Sequence, residues 1–235
     1  MINFFRNIRR QFLSQNRFSK YFLYVVGEIV LVVVGILIAL QVNNWNESLK
    51  TAVEAQEYIK SFSEENNLNK NNLIAALEFS RSKKNGIDTL KYILVKKKYS
   101  DIRIKPLISS MMSLANFRPS KTTMENITAS GKFDLIKDIE LRKTIINTYN
   151  AYKTTATVEG LISDYVSMYI TPFLFNNVRF SDFSSIKSDF TQDPLFENIV
   201  IGYEVLLNQQ ISGYERNLEK LNLLNEQLST INNSN

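Results

Sequence analysis

A single acidic residue inside an apolar run is the first feature of this chain that could do chemistry. Glu28 lies seven residues into YFLYVVGEIVLVVVGILIALQV, which runs from Tyr21 to Val42. On a helix that is ~10 Å from the start of the run, and an acid at mid-bilayer costs roughly 2.5–3.5 kcal/mol. Something must offset that cost. At about 100° per residue, Glu28, Gly35 and Ala39 fall on one narrow strip, with Gly27 at its edge. Gly35 and Ala39 form a small-xxx-small pair, which lets helix backbones approach closely. Three roles fit Glu28. It can be protonated or reach toward the headgroups near Lys20, it can glue one transmembrane helix to another, or it can relay a proton or ion. The relay needs a partner helix that this chain does not supply.

Other chemistry finds little support. The chain has no Cys and no His, which excludes disulfides, thiol nucleophiles and the usual zinc sites. Its 7 glycines form no phosphate-cradling loop. Ser80–Lys83 and Ser184–Lys187 match the Ser-x-x-Lys pattern of penicillin-binding enzymes, but the companion Ser-Asp-Asn and Lys-Thr-Gly elements are missing. Both matches are read as coincidence. Glu64 and Glu65 read as a solvated helix face, and Tyr149, Tyr152, Tyr165 and Tyr169 as core rather than a ligand cage. No catalytic, cofactor-binding or metal residue is expected, and the chain is read as non-enzymatic.

The positioning elements begin with the apolar run itself. Its 22 residues would span ~33 Å as a helix, against a hydrocarbon core of about 30 Å. Tyr21 and Tyr24 at one end and Trp45 at the other lie where interfacial aromatic belts form. A cleaved signal peptide would have a shorter apolar region and a small-x-small site, which Ala39-Leu40-Gln41 does not provide. Arg6, Arg9, Arg10, Arg17 and Lys20 precede the run with no acid among them. The positive-inside rule therefore puts residues 1–20 in the cytoplasm and residues 43–235 outside, the periplasm in a double-membraned bacterium. Phe4, Phe5, Ile8 and Phe12 give that tail an amphipathic pattern suited to headgroups. Of the net charge of +5, only +1 belongs to residues 43–235. Lys96-Lys97-Lys98 is too short a run for a nucleic-acid surface, and no nucleic-acid partner is expected.

Beyond the membrane run, no Pro or Gly interrupts residues 43–85, so the helix is expected to continue. Ala52, Ala55, Ile59, Phe62, Leu73 and Leu77 keep an apolar stripe that Asn66 and Asn69 dilute. Pro106 is placed to open a short helix and Pro119-Ser120 another, which Gly131 would end. Asp138 is a candidate N-cap for a helix reaching Pro172, and residues 176–193 read as loop. From Phe196 to Leu228 a heptad pattern indicates a long last helix, with Gln210 and Asn225 on the seam. The expected fold is all-α: an N-terminal transmembrane helix continuing into an elongated antiparallel helical bundle, coiled-coil-like at its last helix.

Two segments carry a resemblance. FFRNIRRQFL, then FSKYFLYVVGEIVLVVVGILIALQVNNWNE, together spanning residues 4–47, resembles the opening of an uncharacterised family of small single-pass bacterial membrane proteins. ASGKFDLIKDIELRKTIINTYN, Ala129–Asn150, is similar to that family's turn between two ectodomain helices. The resemblance implies a bacterial inner-membrane topology and brings no activity, ligand or catalytic residue.

The resulting expectation is a membrane-anchored helical scaffold or interaction protein, partnered by the bilayer and by a copy of itself or another membrane protein. Two other functions share the layout. One is an ion-coupled or force-transducing accessory subunit using Glu28. The other is an extracytoplasmic sensor whose tail of 20 residues leaves no room for an output domain.

Overall fold

A computed structural model describes residues 18–186 and 188–234, with side chains described for 21–186 and 188–231. Contacts divide the chain into two units, Met1–Ala55 and Gln56–Asn235. The fold is mostly helical.

Helix α1 runs unbroken over Phe18–Val95, as the absence of Pro and Gly over residues 43–85 predicts. It is the one helix among the described residues long and apolar enough to cross a membrane. From Val26 to Lys50 every side chain is exposed. From Ile59 onward a buried strip takes over, stepping by three and four through Phe62, Asn66, Asn69 and Leu73 to Ser80, Lys83, Ile87, Leu90 and Leu94. Ala52, read as part of that stripe, is exposed. The helix ends where Lys97 adopts a left-handed backbone, φ 54°. Its N–H returns to Leu94 O (2.9 Å) and that of Lys98 to Ile93 O (3.0 Å), satisfying carbonyls the last turn would otherwise leave open.

Helix α2 covers Ile104–Ser110, with Pro106 in its first turn. Helix α3 covers Thr122–Ala129, so it starts later than Pro119-Ser120 suggests. The Ser120 N–H and hydroxyl bond to Asn69 and Glu65 of α1 instead of capping their own helix. Gly131, φ 67°, ends α3 as expected, with the Lys132 N–H returning to Ile127 O (3.1 Å).

Asp138 caps helix α4, Ile139–Tyr165, accepting from the Glu140 and Leu141 N–H groups. Pro172 does not end the helical path. A π-turn, Val166–Ile170, sends the Thr171 N–H back to Val166 O, and helix α5 continues over Thr171–Asn177. A wider turn changes the bonding register just where proline removes a donor. The stretch expected to be loop contains a two-residue antiparallel pair, β1 Val178–Arg179 with β2 Ser184–Ser185. Helix α6 then runs over Pro194–Ser234.

The second unit holds two apolar clusters. One gathers Leu90, Ile108, Ile162, Phe196 and Tyr203, and the other Phe62, Leu73, Ile127, Ile145 and Tyr214. Helices α4 and α6 make extensive contact. Bonds from α1 to α6 join Asn66 to Leu221 O, Ser80 to Gln210, Arg81 to Glu215 and Lys91 to Glu204. Tyr149 and Tyr152 are core as expected, whereas Tyr165 is partly buried and Tyr169 is 53% exposed.

Candidate functional site

Several polar residues on the buried strips converge on one irregular segment. Between α2 and α3 the chain passes through the second unit without a helix to satisfy its backbone, and buried polar side chains take over. Gln210 Nε2 donates to Ala115 O (3.2 Å), and the Phe117 N–H donates to Glu159 Oε1 (2.7 Å). Asn69 holds Ser120 at both ends, donating to its carbonyl (2.9 Å) and accepting from its N–H (2.7 Å). Phe117 inserts its ring edge-on against Tyr152 and Tyr214. Each such bond avoids a penalty of about 1–3 kcal/mol for an orphaned buried group.

Glu65 is the centre of this clamp. It is 8% exposed, and its Oε2 accepts from Ser120 Oγ (3.0 Å), Thr123 N–H (2.9 Å) and Thr123 Oγ1 (3.2 Å). A carboxylate of α1 thus caps α3, whose own preceding residue, Lys121, offers no side-chain cap. Its Oε1 accepts from the Tyr149 hydroxyl. The sequence reading of Glu64 and Glu65 as a solvated face therefore holds for Glu64 only, which stays exposed 4.0 Å from Lys60.

A second carboxylate repeats the motif. Glu159 Oε1 accepts from Tyr214 Oη at 2.5 Å, and Gln210 Nε2 donates to the same phenol at 3.1 Å. Burial raises the Glu159 carboxyl above its ordinary range, opposed by hydrogen bonds from Tyr214 and Phe117 and by the Arg118 charge. Burial also raises the Tyr149 and Tyr214 phenols, and their carboxylate partners push them further.

Ser80 and Lys83 are brought to the same buried face of α1, at 0% and 7% exposure. Ser80 Oγ donates to Gln210 Oε1 (3.1 Å), and Lys83 Nζ donates to Tyr203 Oη (3.2 Å) beside the Phe79 and Tyr203 rings. Burial lowers the Lys83 amine to about 8. A serine nucleophile needs its base within hydrogen-bond reach, and here each residue serves a different partner on α6. Lys187, the lysine of the other match, lies outside the described residues. Sequence reasoning missed Glu65, Lys83 and Glu159. For Glu65 and Lys83 the available signal was that the three-and-four spacing of α1 continues through its polar positions.

The residues expected at the membrane stand apart. Gly27, Glu28, Gly35 and Ala39 are all in α1 and exposed. A Cβ built at Gly27 or Gly35 meets nothing within 4 Å. Tyr21 and Tyr24 are partly exposed and Trp45 is 64% exposed. Lys20 is in α1, but its side chain lies outside the described ones. Arg6, Arg9, Arg10 and Arg17 lie outside the described residues altogether.

Among the described residues, no three Asp or Glu side chains gather as a metal site. A surface groove of roughly 230 Å³ separates α4 from α6, lined by Asn147, Asn150, Thr154, Gly213, Arg216 and Lys220 among others.

Among the described residues, one helix is apolar and long enough to cross a membrane, and the second unit is stitched by buried polar side chains. The chain belongs to the family of unknown function DUF6090, whose profile matches residues 28–171. That span includes Glu28, Glu65, Lys83 and Glu159. No curated protein and no solved structure matches the chain.

Proposed function

We propose that this is a non-enzymatic, membrane-anchored helical protein that associates, through the exposed face of α1, with a copy of itself or with another membrane protein. The observation that carries the proposal is the unbroken exposure of apolar side chains from Val26 to Val42, within a helix whose later part is buried. Apolar surface of that extent needs a lipid or protein environment. Glu28 makes lipid alone a costly one, and the open space over Gly27 and Gly35 leaves room for a second helix.

In this reading residues 1–20 are cytoplasmic, residues 21–42 cross a bacterial inner membrane and residues 43–235 form an extracytoplasmic bundle. The pairings of α1 with α6 support an antiparallel arrangement: Asn66 meets Leu221, Ser80 meets Gln210 and Lys91 meets Glu204, one number rising as the other falls. The non-enzymatic reading is supported by the commitment of Glu65, Glu159 and Ser80 to structural bonds.

Mass photometry and cross-linking of the full chain in mild detergent test the association. An oligomer loosened by Glu28→Ala is expected. A monomer at all concentrations, with Glu28→Ala behaving identically, would contradict it.

A further inference from the structure

The groove between α4 and α6 carries several features that the fold itself does not use. Arg216 and Lys220 sit four residues apart on α6, so their like charges are neighbours on the helix surface and weaken it. Neither takes part in an ion pair among the described residues, and no acidic residue lines the groove. Across from them, Asn147, Asn150 and Thr154 present exposed amides and a hydroxyl along one side of α4. Below them, Asn217 and Thr155 are buried and bonded to each other at 2.5 Å, which fixes the floor.

Gly213 is the independent observation. It lies in the interior of α6, where glycine weakens a helix relative to alanine. Helix glycines commonly make room for a neighbour, as Gly202 does for the Tyr165 ring. A Cβ at Gly213 would meet nothing within 4 Å, so packing does not require the glycine. What it leaves open is the wall of the groove.

We propose that this groove binds the phosphate group of a small ligand. The Arg216 guanidinium can take two phosphate oxygens at once, Lys220 adds a point charge, and Asn147 and Asn150 supply amide donors. A bound phosphate anion turns the repulsion between Arg216 and Lys220 into shared attraction, and the space over Gly213 admits it. The site is independent of the association face on α1. Its phosphate could arrive on a soluble ester or on a lipid headgroup, which share this chemistry.

The test uses the full chain in nanodiscs of phosphatidylcholine, titrated with inorganic phosphate against chloride at matched ionic strength. A parallel sample uses nanodiscs containing phosphatidylglycerol. A rise in thermal midpoint of about 2–4 °C with phosphate indicates a soluble ligand, and a rise with phosphatidylglycerol alone indicates a headgroup. The Arg216→Gln, Lys220→Gln double variant should lose the response. Gly213→Ala should raise the midpoint in chloride yet lose the response. Gly160→Ala, at an equally open glycine of α4 outside the groove, should raise the midpoint and keep it. Absence of any response in the unaltered chain, or a full response in the double variant or in Gly213→Ala, would overturn the proposal.

Discussion

Two stretches of helix α1 invert the usual relation between polarity and burial. From Val26 to Val42 it carries Val, Ile and Leu at every angle, and all of them are exposed. From Ile59 to Leu94 it carries Glu65, Asn66, Asn69, Ser80 and Lys83 on its inner strip, and all of them are buried. Among the described residues no side chain covers the first stretch, so its composition is not set by packing within the fold. In the second, Glu65 and Asn69 satisfy backbone that lacks its own secondary structure, while Asn66, Ser80 and Lys83 bond to α6, so its polar residues answer to groups of the fold. Polarity along one helix therefore reports what each stretch must satisfy, and apolar content alone reports neither burial nor exposure.

Breaking the polar clamp should have the largest effect. Glu65→Ala removes the acceptor for Ser120, Thr123 and Tyr149 together, and urea unfolding of the second unit is expected to lose about 3–5 kcal/mol. Glu65→Gln keeps the shape and part of the bonding, and should lose less.

Lys83 should give the next largest effect, with the opposite sign. Its amine is lowered from 10.5 to about 8 by burial, so the folded state binds fewer protons than the unfolded state between those values. The charged form penalises folding fully below pH 8, and stability is regained as pH rises toward 10.5. Lys83→Met should therefore stabilise the protein at pH 7 by roughly 2–3 kcal/mol. The unaltered chain should gain on that variant between pH 7.5 and pH 9.5 in urea midpoints. A constant difference across this range would remove Lys83 as the source.

Gly202→Ala sharpens the packing side of the comparison. Its Cβ would collide with the Tyr165 hydroxyl, which donates to Ile199 O (3.1 Å), and a loss of about 1–2 kcal/mol is expected. The smallest effect belongs to the exposed stretch. Val33→Ala should leave the urea midpoint of the second unit within about 0.5 kcal/mol, since no side chain of the fold covers it.

Much of the helical framework was legible in the sequence because it depends on local signals. Asp138 and Gly131 cap where their residue types require, and α1 continues because nothing in residues 43–85 breaks it. Pro172 misled because the π-turn before it re-registers the helix, which no residue type announces. The buried polar residues of α1 were hidden for a different reason. Asn69 and Glu65 look like interruptions of an apolar stripe until the segment at 115–123 is seen threading against them. That segment's need for partners is a tertiary fact.

The central claim is that the exposed apolar stretch of α1 lies in lipid, and the cysteine-free chain makes a direct test available. Single Val33→Cys and Val53→Cys variants, expressed in intact bacterial cells whose outer membrane has been permeabilised, are treated with a membrane-impermeant maleimide. The account predicts that position 53 is labelled and that position 33 is labelled only after detergent is added. Equal labelling of both positions before detergent would contradict it.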